Sequence, residues 1–250
     1  MIARPVRTLS SLVAVLLATA CTNSFEIPIE TPIRAKLDVA AFQRVLVAGF
    51  IAGGTEDVDG NLETTRLLRS QLRTKSQLRV IDSDVLPLVD VASEGRDSGG
   101  PPTTPPPIKE EKDLEAYEHV FANVEYWKKI GEEYQQPLIV TGTVMFTPLQ
   151  RNSIVQREQE VYDSFGRRRV VPVRTYMERK GFSLDGRFIF IDGRSGATLH
   201  SESFGEQILY NANQTTPALS SYFELMDRLI PTFLSTLSSQ KIKGTRILLQ

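Results

Sequence analysis

The sequence predicts an α/β (α+β) fold in which a mixed β-sheet packs against two or three helices. Three observations lead there. Short apolar runs of strand character recur between amphipathic helical stretches. Two later segments read as hairpins around turn residues. The hydrophobic fraction of 41% and charged fraction of 24% are ordinary for a globular chain. The element order, β-α-β-α-β, then β-hairpins, then α-β, suits a mixed sheet with helices laid on it.

The chain opens with Arg4 and Arg7, an apolar stretch from Leu9 to Leu17 broken only by Ser10 and Ser11, and then Ala18, Thr19 and Ala20 before Cys21. A charged start, an apolar middle and small residues at the cut make residues 1–20 a secretory signal peptide. The apolar run falls well short of the ~20 residues that cross a bilayer as a helix. Cys21 is the only cysteine, so no internal disulfide is available and the core must come from packing. Residues 21–37, with Pro28 and Pro32 among scattered charges, read as a tether. From there residues 38–250 read as a single domain.

Arg44–Phe50 is a short apolar run ahead of Gly53-Gly54, the pattern of a buried strand. Asp59-Gly60-Asn61 marks a turn and a helix start. Leu62 to Thr74 then sets Leu68 and Leu72 on one face, ringed by Arg66, Arg69 and Arg73. Leu78–Ile81 is a second strand. Residues 87–112, with Pro101-Pro102 and Pro105-Pro106-Pro107, read as a long, partly polyproline loop.

Asp113 to Tyr134 is the clearest helix, with a stripe of Tyr117, Val120, Phe121, Val124, Trp127, Ile130 and Tyr134. Pro137–Phe146 is a rich strand signal, continuously apolar at its front, as in a strand covered on both faces. Residues 151–180 form a polar hairpin turning at Asp163-Ser164-Phe165-Gly166, an insertion on the domain. Phe182–Asp192 and Ala197–Tyr210 form a second hairpin through Gly193-Arg194-Ser195-Gly196, with Phe188 and Phe190 on one face and Ile189 and Ile191 on the other. Thr216-Pro217 starts the last helix, striped by Leu219, Phe223, Met226, Ile230, Phe233 and Leu237 and carrying Pro231 inside. Thr245–Leu249 closes the chain as an edge strand.

The inventory for chemistry is thin. His119 and His200 are the two histidines, each read as exposed and without a His or Cys at ligand spacing. No nucleophile-elbow, zinc-protease or phosphate-loop motif is present. Asp82-Ser83-Asp84 follows a strand, where two carboxylates could hold a cation but a cap or turn is the plainer use. Asp57-Val58-Asp59-Gly60-Asn61 has a calcium-loop flavour, but Leu62 replaces the required glycine. Neither a catalytic residue, a cofactor nor a metal is implied. Without the two signal arginines, 27 basic residues face 30 acidic ones, a balance with no electrostatic case for nucleic acid. Arg167, Arg168 and Arg169 make the outer hairpin basic at one end. They are the candidate contact for a partner or an anionic lipid, unless Glu158, Glu160 and Asp163 opposite simply neutralise them.

Leu17-Ala18-Thr19-Ala20-Cys21 resembles a lipobox, with Leu one place earlier than usual. That resemblance implies lipidation at Cys21, hence a membrane anchor, since two or three acyl chains hold stably. Thr22 replaces the aspartate that signals inner-membrane retention in some enteric bacteria, which points to the outer membrane, periplasmic face. A wider resemblance rests on strand Arg44–Phe50, helix Leu62–Thr74, strand Leu78–Asp82, the run Trp127 to Tyr134 leading into Pro137–Phe146, and Gly186–Asp192 turning through Arg194-Ser195-Gly196. These are similar to the envelope α/β domain shared by the curli secretion lipoprotein CsgG, the TolB amino-terminal domain and lipoprotein activators of penicillin-binding proteins. The resemblance covers most of residues 38–249 outside the loop and the hairpin. It implies a non-enzymatic interaction or scaffold protein with an envelope partner, or alternatively a homo-oligomeric secretion-channel subunit. No functional residue of that superfamily falls on a matching motif. The hairpin faces Val155, Arg157, Gln159, Val161 and Ile154, Gln156, Glu158, Glu160 are both too polar to face lipid. A third reading is a hydrolase using Asp82 and Asp84.

Overall fold

The computed structural model describes residues 24–94, 107–211, 214 and 217–249. In chain order the elements are β1 (Ser24–Ile33), β2 (Arg44–Gly54), α1 (Gly60–Lys75), β3 (Arg79–Val80), α2 (Leu88–Glu94), α3 (Glu111–Glu115), α4 (Glu118–Ala122), α5 (Val124–Glu133), β4 (Leu138–Tyr162), β5 (Arg168–Asp192), β6 (Thr198–Asn211), α6 (Ala218–Leu237) and β7 (Gln240–Leu249). Two units emerge: Ala35–Ser238, and a smaller one made of the chain ends Met1–Arg34 and Ser239–Gln250.

The larger unit is the mixed α+β fold expected. Its five-stranded sheet has the order β3-β2-β4-β5-β6. β3, β2 and β4 run parallel, and β4, β5 and β6 antiparallel. One face is covered by α1 and α6, the other by α2, α3, α4 and α5, so two cores form. β2 and the first half of β4 are apolar on both faces because both faces are covered. Val45, Val47 and Phe50 enter one core, Leu46, Ala48 and Ile51 the other. The change of parity after Val47 is a β-bulge, where the register with β4 shifts between Val47 and Gly49 and Gly49 takes φ 142°. Phe188 and Phe190 point into the first core, Ile189 and Ile191 into the second, as their alternation predicts. Phe188 stacks on Phe204 at 4.4 Å and meets Phe233 edge-on at 4.9 Å.

Several expectations are corrected. The helix expected over Asp113–Tyr134 is three helices. Asn123 accepts from the Tyr126 N–H at 3.1 Å and so starts a new helix, while the indole of buried Trp127 donates to the Val120 carbonyl at 2.9 Å. The break leaves Val124 exposed. Helix α5 then packs so closely on the β5–β6 turn that a Cβ on Gly131 would lie 1.8 Å from the Gly193 carbonyl. Within the stretch read as loop, Leu88–Glu94 is helical, with Leu88 and Ala92 buried one turn apart; residues 95–106 lie outside the described residues. In α6 the buried stripe is Tyr222, Leu225, Met226, Leu229, Ile230, Phe233, Leu234 and Leu237, while Leu219 is exposed and Phe223 half-buried. Pro217 is the N-cap of α6, and Thr216 lies outside the described residues.

The tether and the end of the domain also differ. β1 and β7 form an antiparallel ribbon from Ser24↔Leu249 to Ile33↔Gln240, so β7 does not edge the five-stranded sheet. Pro28 and Pro32 are four residues apart, so their missing N–H groups fall on the same edge of the strand. Glu30 pairs with Lys241 at 3.1 Å across the ribbon. Cys21 and the signal segment lie outside the described residues.

Candidate functional site

The 151–180 hairpin is not a separate insertion. It is the outward continuation of β4 and β5, paired without a break from Leu138↔Asp192 to Tyr162↔Arg168. β2 leaves β4 after Phe146, and β6 leaves β5 after Arg179. Beyond that, eleven cross-strand pairs from Asn152↔Glu178 to Tyr162↔Arg168 stand as a two-stranded ribbon, roughly 35 Å long at 3.4 Å per residue. Among the described residues no third strand pairs with either of its edges.

The turn is built by Asp163. Its carboxylate accepts from the backbone N–H of Phe165 at 2.9 Å and of Arg167 at 3.0 Å, and from the Arg167 guanidinium at 3.0 Å. The Arg167 N–H is the leading cause that holds this carboxyl below its ordinary range; partial burial opposes it, and the Phe165 N–H and Arg167 side chain add to the lowering. Gly166 supplies the positive φ of 74° that closes the turn.

The three arginines singled out in the sequence come together at this end. Arg167 and Arg169 lie 3.0 and 3.7 Å from Asp163, and Arg168 lies 2.8 Å from Glu160. The carboxylates foreseen opposite them thus serve them in part, two acids for three bases. Over residues 151–180 eight basic residues face four acidic ones, while the whole chain is at −1. The hairpin therefore carries positive charge and the remainder negative.

The apolar side chains here have no role that the sequence alone assigns. Phe165 at the turn is 82% exposed, Tyr162 66%, and the cross-strand pair Ile154 and Tyr176 71% and 63%. The Arg167 guanidinium sits 5.4 Å over the Phe165 ring. The signal available was an aromatic at the apex of a turn and apolar residues spaced along a polar ribbon, where burial has no use for them.

The other candidates are occupied structurally. Asp82 pairs with Arg73, and the Ser83 carbonyl and hydroxyl accept from Arg69. Asp59 caps α1 through the Leu62 N–H at 3.0 Å, and Asn61 accepts from the Phe50 N–H at 2.7 Å. His119 is exposed, with its ring nitrogens 3.0 and 3.3 Å from the carbonyls of Ala116 and Ala92. His200 is half-buried rather than exposed, tilted on Phe190 at 5.9 Å and 3.6 Å from Glu202. Among the described residues no group of three or more His, Cys, Asp or Glu is placed to hold a metal ion, and no helix is long and apolar enough to cross a membrane.

No protein-family model matches the chain, and no curated protein matches it. Among solved structures it is similar to the PelC dodecamer from Paraburkholderia phytofirmans, at 14% identity and TM-score 0.36, over 86% of this chain and 100% of that one. It is similar to a lipoprotein from Neisseria meningitidis, at 12% identity and TM-score 0.33, over 76% and 97%. It is also similar to the LpoB C-terminal domain from Salmonella enterica, at 8% identity and TM-score 0.33, over 79% and 94%.

Proposed function

We propose that this chain is a lipid-anchored, periplasm-facing interaction protein of the bacterial envelope that holds a protein partner through the distal β4–β5 hairpin. It acts by binding, not by catalysis. The observation that carries this reading is the exposed ribbon itself. A two-stranded ribbon with water on both faces gains little from burial, yet it bears exposed Ile154, Tyr162, Phe165 and Tyr176. Aromatic and arginine side chains of this kind anchor protein interfaces. The lipobox at Cys21 supplies the tether, with the outer membrane as its expected site.

Two measurements test it. Intact mass and membrane fractionation of the wild type beside Cys21→Ser should show a lipid-sized mass increment and membrane recovery, both lost in the variant. A photo-crosslinking residue placed at Phe165 or Tyr176 in cells should trap one reproducible envelope protein, while the same residue at Arg66 on α1 traps none. A hairpin that crosslinks nothing, or an unmodified soluble wild type, overturns the reading.

A second reading, a homo-oligomeric channel subunit, is favoured by the open edges of β4 and β5 beyond Phe146 and Arg179. It requires detergent-extracted protein to run as a ring; a strictly monomeric extract removes it.

A further inference from the structure

We propose that the isoleucine face of the β1–β7 ribbon lies on the phospholipid surface of the membrane to which Cys21 anchors the chain. This contact rests on the lipid anchor proposed above and is independent of the hairpin.

In an antiparallel ribbon successive residues point to opposite faces, and directly opposed residues share one. The register therefore sorts the side chains. Ile27, Ile29 and Ile33 of β1 stand on one face, with Gly244 and Arg246 of β7. Glu26 and Glu30 stand on the other, with Lys241, Lys243 and Thr245. The polar face is satisfied within the ribbon, since Glu30 lies 3.1 Å from Lys241 and 3.9 Å from Lys243. The apolar face is not, with Ile27, Ile29 and Ile33 left 44%, 40% and 45% exposed. Gly244 stands opposite Ile29, and among the described residues a Cβ there would meet nothing within 4 Å. One flank of Ile29 is thus open. Strand propensity does not call for isoleucine at these places, because threonine serves it too, as at Thr31 and Thr245.

Where the chain comes from decides what covers this face. Ser24 is three residues after Cys21, a reach of no more than about 11 Å along an extended backbone. Acyl chains on Cys21 sit in the hydrocarbon, beneath a polar layer about 5–7 Å deep. β1 therefore begins at the membrane surface. Three isoleucines alone would hold a bilayer weakly, but the tether makes their docking an intramolecular event at high effective concentration.

The chemistry of the face fits the headgroup layer and not the hydrocarbon below it. Arg246 stands opposite Ile27, and a guanidinium suits the phosphate of a phospholipid while apolar neighbours settle between headgroups. The acids of β1 that could have competed, Glu26 and Glu30, point the other way. Among the described residues no third strand pairs with the ribbon. Backbone groups on an unpaired edge are not tolerated in hydrocarbon, whereas water and headgroups satisfy them at the surface. The ribbon accordingly lies on the membrane and does not cross it.

The test uses the processed, lipidated protein in vesicles of phosphatidylethanolamine and phosphatidylglycerol. Lipidation occupies the only native thiol, so one introduced cysteine carries one environment-sensitive fluorophore. Ile29→Cys and Ile33→Cys label the apolar face, and Glu26→Cys and Thr245→Cys the polar face. Two positions on each face keep the result independent of what any one substitution does to the ribbon. Emission of buried Trp127, recorded before labelling, reports that the larger unit is intact. Labels on the apolar face should be quenched by brominated acyl chains and shielded from aqueous iodide, and labels on the polar face the reverse. In the Ile29→Cys protein, adding Ile27→Ser and Ile33→Ser should lower the ratio of docked to free ribbon by about tenfold or more. Arg246→Glu should lower it in the same direction. Equal iodide access on the two faces overturns the proposal. So does an apolar face shielded from iodide but untouched by bromine, which would mean that protein, such as a second copy of this chain, covers it. An intact mass without the lipid increment removes the anchor and this contact together; a lipidated protein with two equivalent faces removes the contact alone.

Discussion

β4 and β5 each run for 25 residues, and the two ends of this one pairing live in different solvents. From Leu138 to Phe146 every residue of β4 is buried; from Arg151 to Tyr162 all but one are exposed. The backbone ladder is the same throughout, so hydrogen bonding does not distinguish the halves. Side chains do. At the inner end, apolar residues on both faces meet two helical layers. At the outer end, Arg, Glu and Gln alternate with a few apolar residues, of which Ile154, Tyr162 and Tyr176 stay mostly exposed. Pairing propagates a strand wherever the register allows, but packing decides which part of it supports the fold.

The largest effect should come from the inner half. Phe188 touches Phe50, Phe204 and Phe233 and is nearly inaccessible. Phe188→Ala should cost about 3–5 kcal/mol, by lost transfer energy and the cavity left behind. Urea unfolding reads this directly, and a loss below about 1 kcal/mol would mean that the inner core collapses around the gap and that the two halves differ less than their burial implies.

A smaller effect should follow where α6 meets α1. The Tyr222 hydroxyl contacts Thr64 Oγ1 and donates to the Gly60 carbonyl at 3.1 Å. Tyr222→Phe should cost about 1–2 kcal/mol by leaving those groups short of a partner. It should also change the alkaline limb of stability. Burial pushes the Tyr222 phenol well above its ordinary value; the Thr64 hydrogen bond opposes this, and the nearby charges of Glu63 and Asp59 add to the rise. The folded state therefore favours the neutral phenol. That contribution is complete below the ordinary tyrosine value of about 10 and is lost as pH climbs from there towards the folded value. The gap between wild type and Tyr222→Phe should hold constant to about pH 10 and narrow above it; parallel curves would rule out this source of alkaline sensitivity.

Legibility in the sequence follows the same division. Where a residue has one use, as Val45, Leu46 or Phe190 have in a doubly covered sheet, periodicity gives the strand and the face. Where two uses compete it misleads. The stripe across Asp113–Tyr134 is continuous in its apolar spacing, but Asn123 caps a helix better than it continues one, and no count of apolar residues contains that. The β1–β7 ribbon was hidden because its partners lie at opposite ends of the chain. At the hairpin the arginines and their carboxylates were visible, whereas the exposed aromatics became informative only once nothing was seen to cover them. Local strain is likewise invisible in sequence. Gln135 and Gln136 close α5 at φ 64° and 56°, where glycine is the usual occupant. Both are exposed, and the Gln136 N–H to Gly131 carbonyl bond at 2.6 Å is one glycine retains. Gln136→Gly should raise stability by about 0.5 kcal/mol, the strain removed less the freedom glycine adds to the unfolded chain; a melting temperature unchanged or lowered would show that this turn is not strained.

The smallest effect on folding should come from the outer half. Ile154 and Tyr176 sit directly opposite each other, more than half exposed, on a stretch of β4 and β5 that no third strand joins. Replacing both with serine removes two large apolar side chains, a change that in the inner half would unfold a small domain. Here the unfolding free energy should move by no more than about 0.5 kcal/mol, the usual range for surface positions. The photo-crosslink from Phe165 should nevertheless fall sharply, because apolar groups that do nothing for the free protein are those a partner buries. If the double variant instead destabilises the chain by more than about 2 kcal/mol, a magnitude that belongs to buried positions, the ribbon is packed in the free protein and the contrast between the two ends of β4 and β5 is lost. If stability and crosslinking both stay at wild-type level, the face bearing Ile154 and Tyr176 is not the one the partner reads, and the contact must lie on the opposite face with Val155, Val171 and Val173.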